Sequence, residues 1–444
     1  MTVSRTICLG FFAVITVGAL LLWMPFSLTS GAWNNPVTAW FTATSAVCVT
    51  GLSVVDVGKY YTFWGQLVIV LLVQVGGLGY MTATTVLLLL VGKKLGLRDK
   101  IAIQQSLDMP GLSGMAMLVR SIIATTLLFE LTGVFLLLII FVPDFGFHHG
   151  LWLSIFHSVN AFNNAGFGLF SDSLTSYVKS PLMNGVITGL IIFGSIGYQV
   201  IMELYFWLRD RLYRRVKKTT FSLNFKIATS TTLFLLATGT LAFLITEFNN
   251  PQTLGPLGLG HKIWAAWFQA VTPRTAGFNT IDNAKLTTAG LLVTIALMFV
   301  GASPGGTGGG IKTTTFRVLV DCTKAVLQGK EEVLSFQRQI PIPLILKAVG
   351  VLVGSTMTVL GATILIALTD PQLDLIRILF EVVSAFATVG LSAIGTQNIS
   401  VLGQLILILI MYMGRVGVLL LMSAILGDPK PSFVHYPEEN LLVG

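Results

Sequence analysis

The sequence predicts an all-α integral membrane protein made of four tandem span–pore helix–span repeats, eight transmembrane helices in all, around one pseudo-fourfold pore. Three observations predict it. First, the 444-residue chain is 54% hydrophobic and 10% charged, with a mean hydropathy of +0.83, whereas soluble domains carry about 25% charged residues. Second, its apolar runs are long and continuous. A helix needs about 20 apolar residues to cross a bilayer, while barrel strands alternate polar and apolar over about ten residues. Third, a short glycine-centred stretch occurs four times: Val-Cys-Val-Thr-Gly-Leu at 47–52, Phe-Asn-Asn-Ala-Gly-Phe at 162–167, Pro-Arg-Thr-Ala-Gly-Phe at 273–278 and Phe-Ala-Thr-Val-Gly-Leu at 386–391. Gly51, Gly166, Gly277 and Gly390 stand 115, 111 and 113 residues apart. A fixed period means one structural unit repeated, and this one is too long for a solenoid and right for two spans with something between them.

The repeats fall at residues 1–92, 117–208, 226–326 and 344–427, followed by a short tail at 428–444. Each reads as an apolar span, a short helix, the glycine turn and a second apolar span. The first spans are predicted near 7–24, 117–142, 227–245 and 344–368, and the second near 63–91, 182–208, 286–320 and 401–426. The run from Ile7 to Trp23 follows one basic residue and lacks a small-residue cleavage site, so it is read as the first span rather than a signal peptide. Asn34-Asn35-Pro36 signals a helix start, and Asp370-Pro371 predicts the same start in the fourth repeat. From Pro36 to Val47 the helix spans about 18 Å, roughly half a bilayer. Such a half-helix must return to the side it came from, and non-helical backbone at that depth is tolerable only where protein buries it or it lines a water-filled path.

Lys and Arg set the orientation. One side carries Arg5, Lys93, Lys94, Arg98, Lys100, Arg120, the cluster from Arg209 to Lys226, then Arg317, Lys324, Lys330, Arg338, Lys347 and Lys430. The side with the half-helices carries Lys59, Lys179, Lys262, Arg274, Lys285 and Arg377. Both termini and the basic loops are therefore placed in the cytoplasm of a cell membrane, and the re-entrant loops enter from outside. The net charge of +8 needs no nucleic acid to explain it. Cys8, Cys48 and Cys322 make no disulfide framework.

Four half-helices aim their partly negative C-terminal ends at a shared centre. Beyond them the turns present backbone carbonyls from Val49, Thr50 and Gly51, from Asn164, Ala165 and Gly166, from Thr275, Ala276 and Gly277, and from Thr388, Val389 and Gly390. Rings of carbonyls replace the hydration shell of a monovalent cation, and the turns hold no Asp or Glu that would favour divalent ions. K+ is therefore the predicted ion at these residues. Glycine supplies unusual dihedrals and keeps side chains out of the path.

In the second span of repeat three, Gly301-Ala302-Ser303-Pro304-Gly305-Gly306-Thr307-Gly308-Gly309-Gly310-Ile311-Lys312 cannot hold a helix. The span must break there and leave a loop in the conduction path. A phosphate-binding loop needs Gly-Lys adjacent, and Ile311 intervenes. Arg415 lies mid-span, where an ionisable residue implies function. It either bars the path below the turns together with this loop or pairs with Glu130, which is read chiefly as a structural or subunit-contact residue.

The Thr-Gly, Ala-Gly-Phe and Val-Gly-Leu turns resemble the selectivity loops of the Trk/Ktr/HKT superfamily of potassium transporters, as do residues 161–167 and 272–279. The likeness covers nearly the whole chain and is greatest to the ion-translocating membrane subunit of bacterial Ktr systems. It implies potassium uptake or symport, with sodium as a second ion. It implies that Gly305, Gly306, Gly308, Gly309, Gly310, Lys312 and Arg415 form an intramembrane gate. It also implies a homodimer to whose interface the tail contributes, with a cytosolic nucleotide-binding RCK-type ring on the basic face and no nucleotide bound by this chain. Plant relatives preferring sodium often carry serine in the first loop, where this chain has Gly51. The rival reading is a secondary active cation transporter with alternating access. No catalytic constellation lies in a span. His148, His149, His157 and His261 are read as solvated or helix-start residues, and Asn163 and Asn164 either touch the outer ion or brace their turn.

Overall fold

A computed structural model describes residues 3–79, 115–213 and 220–427. The basic loop at 93–100, residues 214–218 of the basic cluster, the tail and the far end of the span predicted at 63–91 lie outside the described residues.

Four times the chain runs a long helix, a short helix, an extended turn and a further helix. First come α1 (Val3–Trp23), α2 (Pro36–Val47), the one-turn α3 (Val57–Tyr60) and α4 (Phe63–Leu78). Next are α5 (Met115–Phe145), α6 (Phe147–Phe162), α7 (Pro181–Ser195) and α8 (Tyr198–Leu212). The third group is α9 (Leu223–Glu247), α10 (Leu259–Val271), α11 (Thr288–Phe299) and α12 (Thr313–Leu327). The fourth is α13 (Ile342–Thr369), α14 (Leu375–Phe386), α15 (Val401–Val416) and α16 (Val418–Leu426). A two-stranded ribbon, Leu334–Ser335 with Arg338–Gln339, joins the last two groups.

The four long helices are long and apolar enough to cross a membrane, over Ser4–Trp23, Val119–Phe145, Leu223–Glu247 and Ile342–Thr369. Their outer faces are greasy: Leu128, Phe135, Ile245 and Leu368 are all exposed, as lipid-facing side chains must be. The short helices are the buried elements. In α2, α6, α10 and α14 the last turns have no exposed residue, so the core lies around their C-terminal ends.

Breaks in the second helices are commoner than the sequence predicts. A break was expected only at 301–312, yet α7 and α8 meet at 103° and α15 and α16 at 93°. Gly79 and Gly417 cap the ends of α4 and α15, and Gly197 caps the start of α8 just after α7; all three have positive φ. Three residues earlier, Gly76, Gly194 and Gly414 lie so close to the ends of α2, α6 and α14 that a Cβ would overlap the carbonyls of Val47, Phe162 and Phe386. Gly76 and Gly194 thus allow close packing against the short helices, and Gly79 and Gly197, three residues on, turn the chain.

The predicted start at Asp370-Pro371 is corrected: α14 begins one turn later, at Leu375 after Asp374. Asp370 instead ends α13 and accepts from Ser400 N at 2.9 Å and Oγ at 2.8 Å, tying down the head of α15. Glu247, at the end of α9, holds Thr287 N at 3.0 Å and Oγ1 at 2.6 Å at the head of α11 in the same way. Thr62, Ser180, Thr287 and Ser400 each accept from the amide three residues on, at Gly65, Met183, Gly290 and Gly403. An N-cap of this kind satisfies a helix donor that otherwise has no partner. Ser400→Ala is expected to cost about 1 kcal/mol, read as a lowered thermal midpoint of the detergent-solubilised protein. An unchanged midpoint would rule out a stabilising cap there.

Candidate functional site: a ring of four backbone turns

Three of the short helices, α2, α6 and α14, end in the same turn, an i→i−5 bond closing over a left-handed residue. Thr50 N donates to Ser45 O, Ala165 N to Asn160 O and Val389 N to Ser384 O, each at 2.8 Å. In the third turn Ala276 N reaches Thr272 O at 3.0 Å. Two residues of each turn take left-handed φ with one between them: Val49 and Gly51, Asn164 and Gly166, Thr275 and Gly277, Thr388 and Gly390. Non-glycine residues seldom adopt that region, and outliers of this kind cluster at functional sites.

The four glycines close into a ring taken in chain order. A Cβ on Gly51 would strike the Ala165 carbonyl oxygen, and one on Gly390 the Thr50 carbonyl oxygen. A Cβ on Gly166 would lie 2.7 Å from Ala276 O, and one on Gly277 2.6 Å from Val389 O. All twelve residues named from the sequence are therefore brought to one place, with no carboxylate among them and no room for a side chain on the glycines.

Beneath the ring lies the stretch from Val300 to Lys312, non-helical as expected. Its ends pair, Gly301 N to Ile311 O at 2.9 Å, and its body hangs on the end of α7, Ser303 N on Ser195 O at 2.9 Å and Thr307 N on Gly194 O at 3.0 Å. Gly305 O accepts from Tyr198 N at 3.2 Å. A Cβ on Gly308 would overlap Thr275 Oγ1 and one on Gly309 would overlap Thr388 Oγ1, whose oxygen accepts from Gly309 N at 3.1 Å. Gly306 faces Ser195 O, and Gly310 faces Ala387. The loop thus presses glycine backbone against the inner residues of the third and fourth turns.

Three cations grip its carbonyls. Lys312 Nζ donates to Gly308 O at 2.8 Å. Arg415 donates from Nη1 to Thr307 O and from Nη2 to Gly76 O, so it links α15, the loop and the end of α4. Arg274, beside Thr275, donates from Nη2 to Gly301 O at 3.4 Å. Of these, Arg274 stands in the sequence as a charge on the half-helix side; it is 1% exposed and belongs to the interior.

Arg415 forms no ion pair with Glu130. The Glu130 carboxylate accepts from Asn163 Nδ2 at 2.9 Å and Gln74 Nε2 at 3.3 Å, and its carbonyl accepts from Ser158 Oγ. Asn163 also donates to Gln74 Oε1 and Val159 O, so it braces the second turn. The Asn164 amide, with its nitrogen towards Ala161 O and Ile191 O, accepts from Thr275 Oγ1 at 3.2 Å. Glu130→Ala takes the acceptor from Gln74 Nε2, while Asn163 Nδ2 keeps Gln74 Oε1 and Val159 O; it is expected to cost about 1–3 kcal/mol, read as a lower unfolding midpoint. No change would make the carboxylate dispensable to the brace.

His157 is not solvated, contrary to expectation. It is fully buried in α6, with Nδ1 on Leu153 O at 2.8 Å and its ring against Phe170. Glu381, also missed, is fully buried in α14 and accepts from Thr396 Oγ1 at 2.6 Å. Its nearest sequence signal is a carboxylate nine residues before a turn glycine. In the loop after the second turn, partial burial pushes the Asp172 carboxyl up, but hydrogen bonds from Thr175 and Ser176 outweigh this and hold it below the usual range. Among the described residues no cluster of His, Cys, Asp and Glu has metal-site geometry.

Apolar crossing helices around a ring of inward backbone turns define a polytopic helical membrane protein whose centre is made of main chain. The chain belongs to the TrkH family of cation transport proteins, whose pattern matches residues 9–436. It is 40% identical over 444 residues to the Ktr system potassium uptake protein B of Bacillus subtilis, covering 100% of this chain and 97% of the relative. It is 39% identical to the protein of that name from Vibrio alginolyticus, over 99% of this chain and 94% of the relative. It is 36% identical to the potassium/sodium uptake protein NtpJ of Enterococcus hirae, over 99% and 97%. The fold is that of the crystal structure of the potassium transporter TrkH from Vibrio parahaemolyticus, with a TM-score of 0.73 at 17% identity, covering 95% of this chain and 84% of the other. The family is one of transporters, not enzymes.

Proposed function

We propose that this chain is the potassium-translocating subunit of an uptake system in the cell membrane. The observation that carries the reading is the closed ring of turns, in which each glycine abuts the carbonyl of the next turn. Potassium sheds its water at carbonyls of residues 49–51, 164–166, 275–277 and 388–390, where oxygens from all four turns replace the hydration shell. Neutral carbonyls without carboxylates suit a monovalent ion. The eight-span reading takes the four long helices, the two bent pairs and the shorter apolar α4 and α11 as parts of eight crossings. The repeats are taken at 1–92, 117–208, 226–326 and 344–427, a division that the recurring order of helices supports.

The loop from Gly301 to Lys312, with Arg415, is the gate. It stands directly under the third and fourth turns, so an ion leaving the ring meets it. Arg415 adds a positive charge to that barrier. Opening requires the loop to leave, after which the membrane potential drives inward flux by about 2.3 kcal/mol per charge per 100 mV. Both termini are cytoplasmic. The chain pairs as a homodimer and carries a nucleotide-binding RCK-type ring on its basic face, in line with relatives named as parts of a Ktr system. Sodium is a second candidate ion, since one relative is named for both.

The test is uptake of potassium and sodium in cells lacking their own potassium uptake. Potassium flux that grows with the membrane potential supports a gated conduction path. Flux that saturates and stays tied to a fixed ratio of a second ion would favour alternating access, and no potassium flux at all would end the reading.

A further inference from the structure

Arg274 carries an unexplained surplus of hydrogen-bond donors. Its side chain is among the largest fully buried ones of the described residues. Only Nη2 has a partner, the Gly301 carbonyl at 3.4 Å, while Nε and Nη1 have none. Arg274 enters no ion pair among the described residues. A buried guanidinium is normally paired and bonded through several donors, because leaving them empty is costly. Placement makes the surplus informative. Arg274 immediately precedes Thr275 of the third turn, and its one partner is the residue at which the loop leaves α11. Arg415 and Lys312, by contrast, hold carbonyls in the middle of the loop, at Thr307 and Gly308.

We propose that Arg274 is a positioning residue for the open state of the gate, a conclusion that rests on the loop being the gate. In the arrangement seen here the loop is held under the turns by Arg415 and Lys312, and Arg274 keeps only its root. When the loop leaves the path, the carbonyls next to Gly301 swing towards the guanidinium, and Nε and Nη1 take them up. The bonds missing from the closed arrangement are then made in the open one, and this difference between states lets a residue bias an equilibrium. Because the donor sits on the third turn, the root of the gate stays fixed to the ring in both states.

Arg274→Lys keeps the charge but loses the planar set of donors. It is expected to lower maximal potassium uptake by about tenfold, the population change that goes with one lost charge-assisted bond. The potassium concentration for half-maximal uptake and the preference over sodium should stay within about twofold, because Arg274 does not line the ring. Adding Arg415→Ala, which releases the loop by itself, should abolish the difference, so that the double variant transports like Arg415→Ala alone. Arg274→Gln is measured alongside, with membrane abundance for every variant. Three results overturn the proposal: a change in affinity or selectivity that follows the loss of flux, a loss of flux that Arg415→Ala fails to remove, or absence of both Arg274 variants from the membrane. If the native chain carries no potassium, the function reading itself fails; if it does, these results bear on Arg274 alone.

Discussion

Gly51→Ser is expected to raise the potassium concentration for half-maximal uptake by about tenfold or more and to let sodium through. Gly51 has a φ of +90°, and forcing an L-residue into left-handed backbone costs about 1–2 kcal/mol. The new Cβ would also sit on the Ala165 carbonyl oxygen, one of the oxygens proposed to hold the ion. Neither strain relaxes without moving a carbonyl of the ring, and each 1.4 kcal/mol lost from the bound ion is a factor of about ten. Gly277→Ser should act alike, since its Cβ would stand 2.6 Å from Val389 O. Gly31→Ser separates the two causes: Gly31 also has positive φ, at +65°, but nothing lies within 4 Å of a Cβ there. It should leave affinity and selectivity alone. If Gly51→Ser and Gly277→Ser both behave like the native chain in paired potassium and sodium uptake, these glycines do not line the path, and every ion-binding residue named here falls with them.

What the sequence made legible was what repeats. A glycine at a fixed period marked all four turns, because no other residue fits where each turn touches the next. Continuous apolar runs marked the four long helices, whose lipid-facing sides are made mostly of apolar side chains. Single side chains at buried junctions were less legible. Arg274 looked like a loop charge because nothing in the sequence says that a residue between Pro273 and Thr275 points inward to Gly301. His157 looked solvated because histidine near a helix start usually is, whereas the aromatic shell of Phe141, Phe170 and Phe278 is assembled from distant parts of the chain. Asp370-Pro371 read as a helix start because the dipeptide carries that signal, but the carboxylate was taken by Ser400, thirty residues on. The bends at Gly197 and Gly417 were missed since a single glycine in an apolar run does not by itself break a helix. The close approach to Phe162 and Phe386 is what makes the glycines before them obligatory.

Arg415→Ala should act in the opposite direction to Arg274→Lys, raising potassium flux several-fold or more. The guanidinium holds Thr307 O of the loop and Gly76 O of α4 together. Bonds to charged groups contribute about 1.5–3 kcal/mol each, so losing two shifts the closed–open balance by about a hundredfold or more, up to the ceiling set by a fully open path. Removing the charge lowers the electrostatic barrier to a cation in the same stroke. Arg415→Lys separates these effects: it keeps the charge but cannot span two carbonyls with one planar fork. If pinning dominates, lysine resembles alanine; if charge dominates, lysine resembles the native residue. A fall in flux for Arg415→Ala at native membrane abundance would instead make the arginine a support for the conducting state, and the gate would have to be sought elsewhere. Selectivity offers the cross-check. The loop touches the turns through Thr275 and Thr388 side chains, whereas the ring of carbonyls is held by its own short helices. An unpinned loop should therefore change how much potassium passes without changing its preference over sodium.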